Sequence, residues 1–207
     1  MKTLYGATGA GSVAPQALLT HLQVPFELKL ISFDENEHLS EAFLAVNPRG
    51  QIPVLVLNDN SVLTESLAIM LHVADCHPSA GLIPAPGSAG RAQVYRWMSF
   101  VATNVYEGFL RLLYPDMYTT GGNLSKVVES ADQYLMAAFD ILDQALGQGP
   151  CLVGKHTGVT DIYLAMLLTW HPDQQRLYEA YKNLQPSLKH TLALEGVTRV
   201  FEENELI

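Results

Sequence analysis

The sequence predicts an α/β region of order βαβαββα followed by an all-α helical bundle. Three observations carry this reading. Short segments with strand-like alternation are confined to the first 64 residues, a Pro- and Gly-rich stretch interrupts the chain at 82–90, and only helical periodicity appears beyond it. Residues 2–5 read as a strand, Gly6, Gly9 and Gly11 as a loop, and 14–22 as a helix with apolar residues at helical spacing. Residues 26–31 alternate like a half-buried strand, and 38–46 carry a helical pattern that stops before Asn47-Pro48. Two strands at 54–57 and 61–63 flank the hairpin-type turn Asn58-Asp59-Asn60, and helical spacing returns over 65–74.

The run Leu-Ile-Pro-Ala-Pro-Gly-Ser-Ala-Gly at 82–90 blocks helix continuation. The expected division is therefore 1–80, a linker 81–90, and 91–207. In the second part, 91–114, 125–146, 161–170, 173–182 and 186–194 read as helices. Net charge is −9, 16% of residues are charged, and no Lys/Arg run occurs, which argues against nucleic acid or an anionic membrane as partner. No stretch approaches ~18 apolar residues, and the N-terminus has no signal-peptide pattern. Cys76 and Cys151 form no Cys-x-x-Cys pair, which removes a dithiol oxidoreductase from consideration and fits a reducing, cytoplasmic compartment. His72, Cys76 and His77 have loosely metal-like spacing without a second ligand cluster, so no metal is expected.

The segment Asn-Pro-Arg-Gly-Gln-Ile-Pro-Val-Leu at 47–55, followed by Leu-Thr-Glu-Ser-Leu-Ala-Ile at 63–69, resembles the glutathione-binding signature of cytosolic glutathione transferases. Gly9-Ala10-Gly11-Ser12-Val13-Ala14 is similar to the bacterial beta class, and Glu-His-Leu-Ser-Glu-Ala-Phe at 37–43 to the theta and phi classes. The resemblance covers essentially the whole chain and implies a thioredoxin-like N-terminal domain, an all-helical substrate and dimerisation domain, and glutathione as co-substrate. It also implies a cis Ile52–Pro53 bond that turns Ile52 toward a bound peptide, with Gln51 and His38 at the glycyl end. Arg49 is a further candidate to balance the glycyl carboxylate.

Glu65 and Ser66 fall at a helix start with Thr64 as a plausible N-cap. Backbone N–H groups there suit the γ-glutamyl carboxylate, and the Glu65 carboxylate suits the α-ammonium. Ser12 is the expected stabiliser of the glutathione thiolate, with Tyr5 as runner-up. Lowering a thiol pKa by two units takes ~2.7 kcal/mol, roughly what one charge-assisted hydrogen bond and a helix terminus supply. The beta-class cysteine aligns with Gly11, and Tyr106-Glu107 replaces that class's His-Lys pair. Tyr106 and Phe109 are the expected lining of a pocket for a hydrophobic electrophile. Thr157-Gly158-Val159-Thr160-Asp161 resembles the family's capping motif, a structural element. The expected function is thiolate attack on an electrophile by a homodimeric detoxification enzyme. The alternatives are glutathione-dependent isomerisation or dehalogenation, and a non-catalytic binding or stress-related protein of the same fold.

Overall fold

The computed structural model describes all 207 residues. It divides into two compact units, Met1–Ile83 with Leu192–Ile207, and Pro84–Thr191.

The first unit runs β1 (Lys2–Gly6), α1 (Val13–His21), β2 (Phe26–Leu30), α2 (Glu41–Leu44), β3 (Val54–Val56), β4 (Val62–Thr64) and α3 (Ser66–Asp75). The strands form one mixed sheet of order β2-β1-β3-β4, with β1 and β2 parallel and the other pairs antiparallel. Alternation along β1 sends Leu4 into the core, while Tyr5 packs its ring 5.6 Å from that of Phe43 on α2. The helix expected over 38–46 is instead a 3-10 turn, Glu37–Leu39, and then α2. Ser40 divides them: its backbone is extended and its Oγ accepts the Phe43 N–H at 3.2 Å, starting a new helix.

In the second unit the helix expected over 91–114 begins earlier, as α4 (Ala89–Phe100), capped by Ser88 Oγ accepting the Arg91 N–H at 3.1 Å. A π-helical segment, Val101–Tyr106, follows it, and then α5 (Glu107–Leu113). Two side chains bond back one turn within this stretch: Thr103 Oγ1 donates to Ser99 O at 2.9 Å and Asn104 Nδ2 to Phe100 O at 3.0 Å. Such back-bonding competes with the regular ladder and accompanies its local widening. Next come α6 (Leu124–Leu146), α7 (Val159–Thr169), α8 (Gln174–Ala180) and α9 (Leu184–Thr191). The α7 helix is buried from Val159 through Leu168 and forms the axis of this unit, as a helix apolar on all sides must.

The chain then returns to the first unit through α10 (Glu195–Glu203), a helix the sequence reading did not include. It lays Val197, Val200 and Phe201 inward and packs on α1. Gly196 permits the approach, since a Cβ there would stand 2.6 Å from His21 Cα. Residues 192–207, expected in the helical domain, thus build the α/β one, and the break between units falls at Ile83/Pro84.

Candidate active site

Sheet register decides which loops meet. Tyr5 pairs with Val54 on one side and Lys29 on the other, and Val54 pairs with Thr64. The ends of β1, β2 and β4 and the start of β3 therefore lie along one rim. That rim gathers the Gly-rich loop after β1, the turn carrying His38, the segment leading into Ile52–Pro53, and the start of α3 at Glu65 and Ser66.

The Ile52–Pro53 peptide is cis. Ile52 precedes β3, and its N–H and C=O make no hydrogen bond within the chain. The segment before it is fixed by Asn47, only 4% exposed, whose Nδ2 donates to Gln51 O at 2.7 Å while its Oδ1 accepts the Arg49 N–H at 3.2 Å. Gly50 adopts φ +61°, and a Cβ there would press to 2.9 Å from His38 O. The Gln51 side chain is exposed. The His38 ring lies 4.8 Å from that of Phe33, tilted by 54°, with its Nδ1 buried and unpartnered.

Glu65, not Thr64, occupies the N-cap of α3, at φ 64° and ψ 110°, without a side-chain capping bond. Its Oε1 stands 3.4 Å from Arg49 Nη1. Ser66 opens the helix, whose first-turn N–H groups face this rim.

Ser12 departs from expectation. It is 1% exposed, and its Oγ accepts the Ala7 N–H at 3.1 Å and donates to Ala7 O at 3.2 Å. A hydroxyl has one proton, and here it is committed to the backbone. Gly6 makes room for this inward rotamer, since a Cβ there would lie 2.5 Å from Ser12 Oγ. Ser12 closes the turn and does not present a donor to a ligand. Tyr5 remains half-buried, with its hydroxyl making no hydrogen bond within the chain and Lys29 Nζ 5.6 Å from its ring centre. The backbone N–H groups of Gly11 and Ser12, at the start of α1, also have no acceptor within the chain.

The loop has a second anchor that sequence reasoning missed. Asn204, just past α10, accepts the Gly9 N–H on Oδ1 at 3.2 Å and donates from Nδ2 to Gln16 Oε1 at 3.3 Å. No local pattern announces a partner so distant in the chain.

The family model for the glutathione S-transferase N-terminal domain matches residues 2–75. Glutathione S-transferase GstA of Escherichia coli O157:H7 is 30% identical over 171 residues, 82% of each chain. The uncharacterized GST-like protein YncG of Escherichia coli K12 is 27% identical over the full length of both chains. A sphingomonad glutathione S-transferase solved in complex with glutathione superposes with a TM-score of 0.84 at 27% identity, covering 99% of this chain and 100% of that one. The chain belongs to the glutathione S-transferase family.

In this transferase the helical unit corrects one further expectation. Phe109 is fully buried, with its ring 6.1 Å from Phe139, 6.0 Å from Trp170 and 6.3 Å from His171, so it is core and lines no pocket. Tyr106 closes the π-helical segment half-buried, its ring 5.1 Å from Trp170. Tyr118 lines a groove of about 400 Å³ together with Arg111, Lys126 and Tyr134. The Asp161 carboxylate accepts the N–H groups of Leu152 and Gly158, both at 2.8 Å. Gly158 has no side chain, so this is half of a capping box; burial pushes Asp161 up to about 6. Burial first, then Asp161, pushes the nearby Cys151 thiol up to about 11, which leaves it inert. Exposed Cys76 lies 3.7 Å from His72 Nε2, with no third ligand beside them. No helix is long and apolar enough to cross a membrane.

Proposed function

We propose that this chain is a cytoplasmic, homodimeric glutathione transferase that holds glutathione along the sheet rim and presents its sulfur, as the thiolate, to a hydrophobic electrophile in detoxification. The single observation that carries the reading is the convergence of four loops on one rim, with Ile52's peptide groups unpaired in the chain and Glu65 set in a left-handed backbone conformation. The main chain of Ile52 takes the cysteinyl residue as an added strand. Glu65 and the first turn of α3, including Ser66, take the γ-glutamyl end; Gln51 and His38 serve the glycyl end.

Thiolate stabilisation passes from Ser12 to the N–H groups of Gly11 and Ser12, reinforced by the α1 terminus, with the Tyr5 hydroxyl as a second donor. These are oriented donors that need no rearrangement as charge gathers on sulfur. Proximity of thiolate and acceptor supplies the remainder of the rate. Tyr106 is the residue of the helical unit assigned to the acceptor.

Calorimetric titration with glutathione, followed by an assay with an activated chloronitrobenzene, tests this. Saturable binding and arylation are the expected results. No heat at millimolar glutathione would overturn the reading. Sedimentation equilibrium tests the dimer.

A further inference from the structure

The helical unit carries a cationic groove that the transferase reading leaves unused. It lies between α5 and α6, measures about 400 Å³, and has Arg111, Tyr118, Lys126, Ser130, Ala131 and Tyr134 in its lining. Its walls are fixed. The Arg111 guanidinium stands 5.7 Å from the ring centre of Tyr118 and 5.8 Å from that of Tyr134. Each ring is tied at its hydroxyl: Tyr118 Oη donates to Glu107 Oε2 at 3.3 Å, and Tyr134 Oη donates to Asn104 Oδ1. Buried Ala131 has too short a side chain to fill the space between them.

Charge is the second observation. Acidic residues outnumber basic ones 21 to 12 in this chain, yet neither Arg111 nor Lys126 forms an ion pair within it. Lys126 stands in the first turn of α6, which holds no acidic residue. A cation at that end opposes the helix dipole, so the fold gains nothing from a lysine there, whereas a bound anion would offset both charges. The Glu107 carboxylate is engaged by Tyr118 and is not part of the lining.

A carboxylate or sulfonate brings a single negative charge, whereas a phosphate monoester brings about −1.5 to −2 at neutral pH together with three acceptor oxygens. The paired cations and the Ser130 hydroxyl match the phosphate. Phosphate alone would leave most of the groove empty, and the tyrosine faces suit a flat ring. We propose that this groove binds a small aromatic phosphate monoester of nucleoside-monophosphate size, with its phosphate held by Arg111 and Lys126 and its ring against the tyrosine faces. The site lies wholly in the helical unit and does not rest on the glutathione reading. A lone dianion needs no basic run of the kind that nucleic acid requires.

Calorimetry on the full chain tests this with adenosine monophosphate, adenosine, inorganic phosphate and naphthalenesulfonate. Saturable one-to-one binding of the nucleotide is expected, with every other probe about tenfold weaker or more. Arg111→Gln and Lys126→Gln are each expected to weaken the nucleotide about tenfold and to leave glutathione binding unchanged. Lys126→Glu is expected to abolish nucleotide binding. The Lys126 side chain is exposed, so both of its variants are expected to keep the wild-type unfolding midpoint. No heat with the nucleotide, or an unchanged affinity in Lys126→Gln, would overturn the inference. Equal binding of adenosine would reduce the site to ring stacking, and equal binding of the sulfonate to a general organic-anion surface; either result overturns it. Displacement of glutathione by the nucleotide would also overturn it, since the phosphate would then occupy the transferase site.

Discussion

Glu65 sits at φ 64° and ψ 110°, a conformation that costs an L side chain about 1–3 kcal/mol and persists only where the surroundings over-determine it. Glycine there relieves the strain at an unfolded-state entropy cost of about 0.4–1 kcal/mol. Glu65→Gly is therefore expected to gain about 1 kcal/mol of stability in urea unfolding. The same variant is expected to lose about tenfold or more in glutathione affinity by calorimetry. A variant that lost stability would show that the backbone at Glu65 is not strained. At Ser12 the expectation is the reverse kind. Ser12→Ala takes the acceptor from the buried N–H of Ala7, whose C=O keeps the Ala10 N–H, and is expected to cost about 1–3 kcal/mol, with the bound thiol's pKa unmoved. Tyr5→Phe is expected to raise that pKa with little effect on folding. Thiolate absorbance against pH separates the two variants.

At the scale of elements, the second unit turns on the start of α7. Asp161→Ala orphans the N–H groups of Leu152 and Gly158 and is expected to cost about 2–4 kcal/mol in denaturant unfolding at neutral pH. The ionisation has its own sign. Burial raises the folded pKa to about 6 from the ordinary 3.8, so between those values the native state holds more proton than the unfolded chain. Stability from this group is full below about pH 4 and falls by about 3 kcal/mol as pH rises through about 6. His171 acts oppositely. It is buried, its Nδ1 accepts the Asp173 N–H at 3.1 Å, and burial lowers its pKa below the ordinary 6.5, against opposing pulls from Asp132 and Asp173. Its contribution is full above pH 6.5 and is lost as pH falls through the lowered folded value. Unfolding midpoints between pH 4 and pH 7 are expected to lose the Asp161 limb in Asp161→Ala and the His171 limb in His171→Phe.

For the molecule as a whole, the C-terminal helix governs the N-terminal loop. The α10 helix packs on α1, and Asn204 beyond it reaches both Gly9 and Gln16. Asn204→Ala is expected to destabilise the protein by about 1–3 kcal/mol through the unpaired buried groups. It should also lower kcat more than KM, because the loop bearing the Gly11 and Ser12 amides is released from its anchor. Faster amide exchange at Gly9, with exchange in the second unit unchanged, is the accompanying signature. Unchanged exchange at Gly9 would show that the loop is held by Ser12 and Ala7 alone.

The sequence by itself determined the kind and order of nearly every element, because hydrophobic period and turn chemistry are local: Asn58-Asp59-Asn60 makes its hairpin, and the Pro/Gly run at 82–90 ends one unit. It also announced the cis Ile52–Pro53 bond and the placement of Glu65 and Ser66, through a short contiguous motif. Tertiary structure alone decided which way side chains turn and which distant groups meet. Ser12 reads as an available donor until Gly6 and Ala7 close over it, and Phe109 reads as a pocket wall until Phe139 and Trp170 surround it. Asn204 acquires its role only when α10 folds back across 188 residues onto Gln16. The physical reason is common to all three: burial and hydrogen-bond satisfaction are properties of assembled surfaces, and no window of sequence contains both partners.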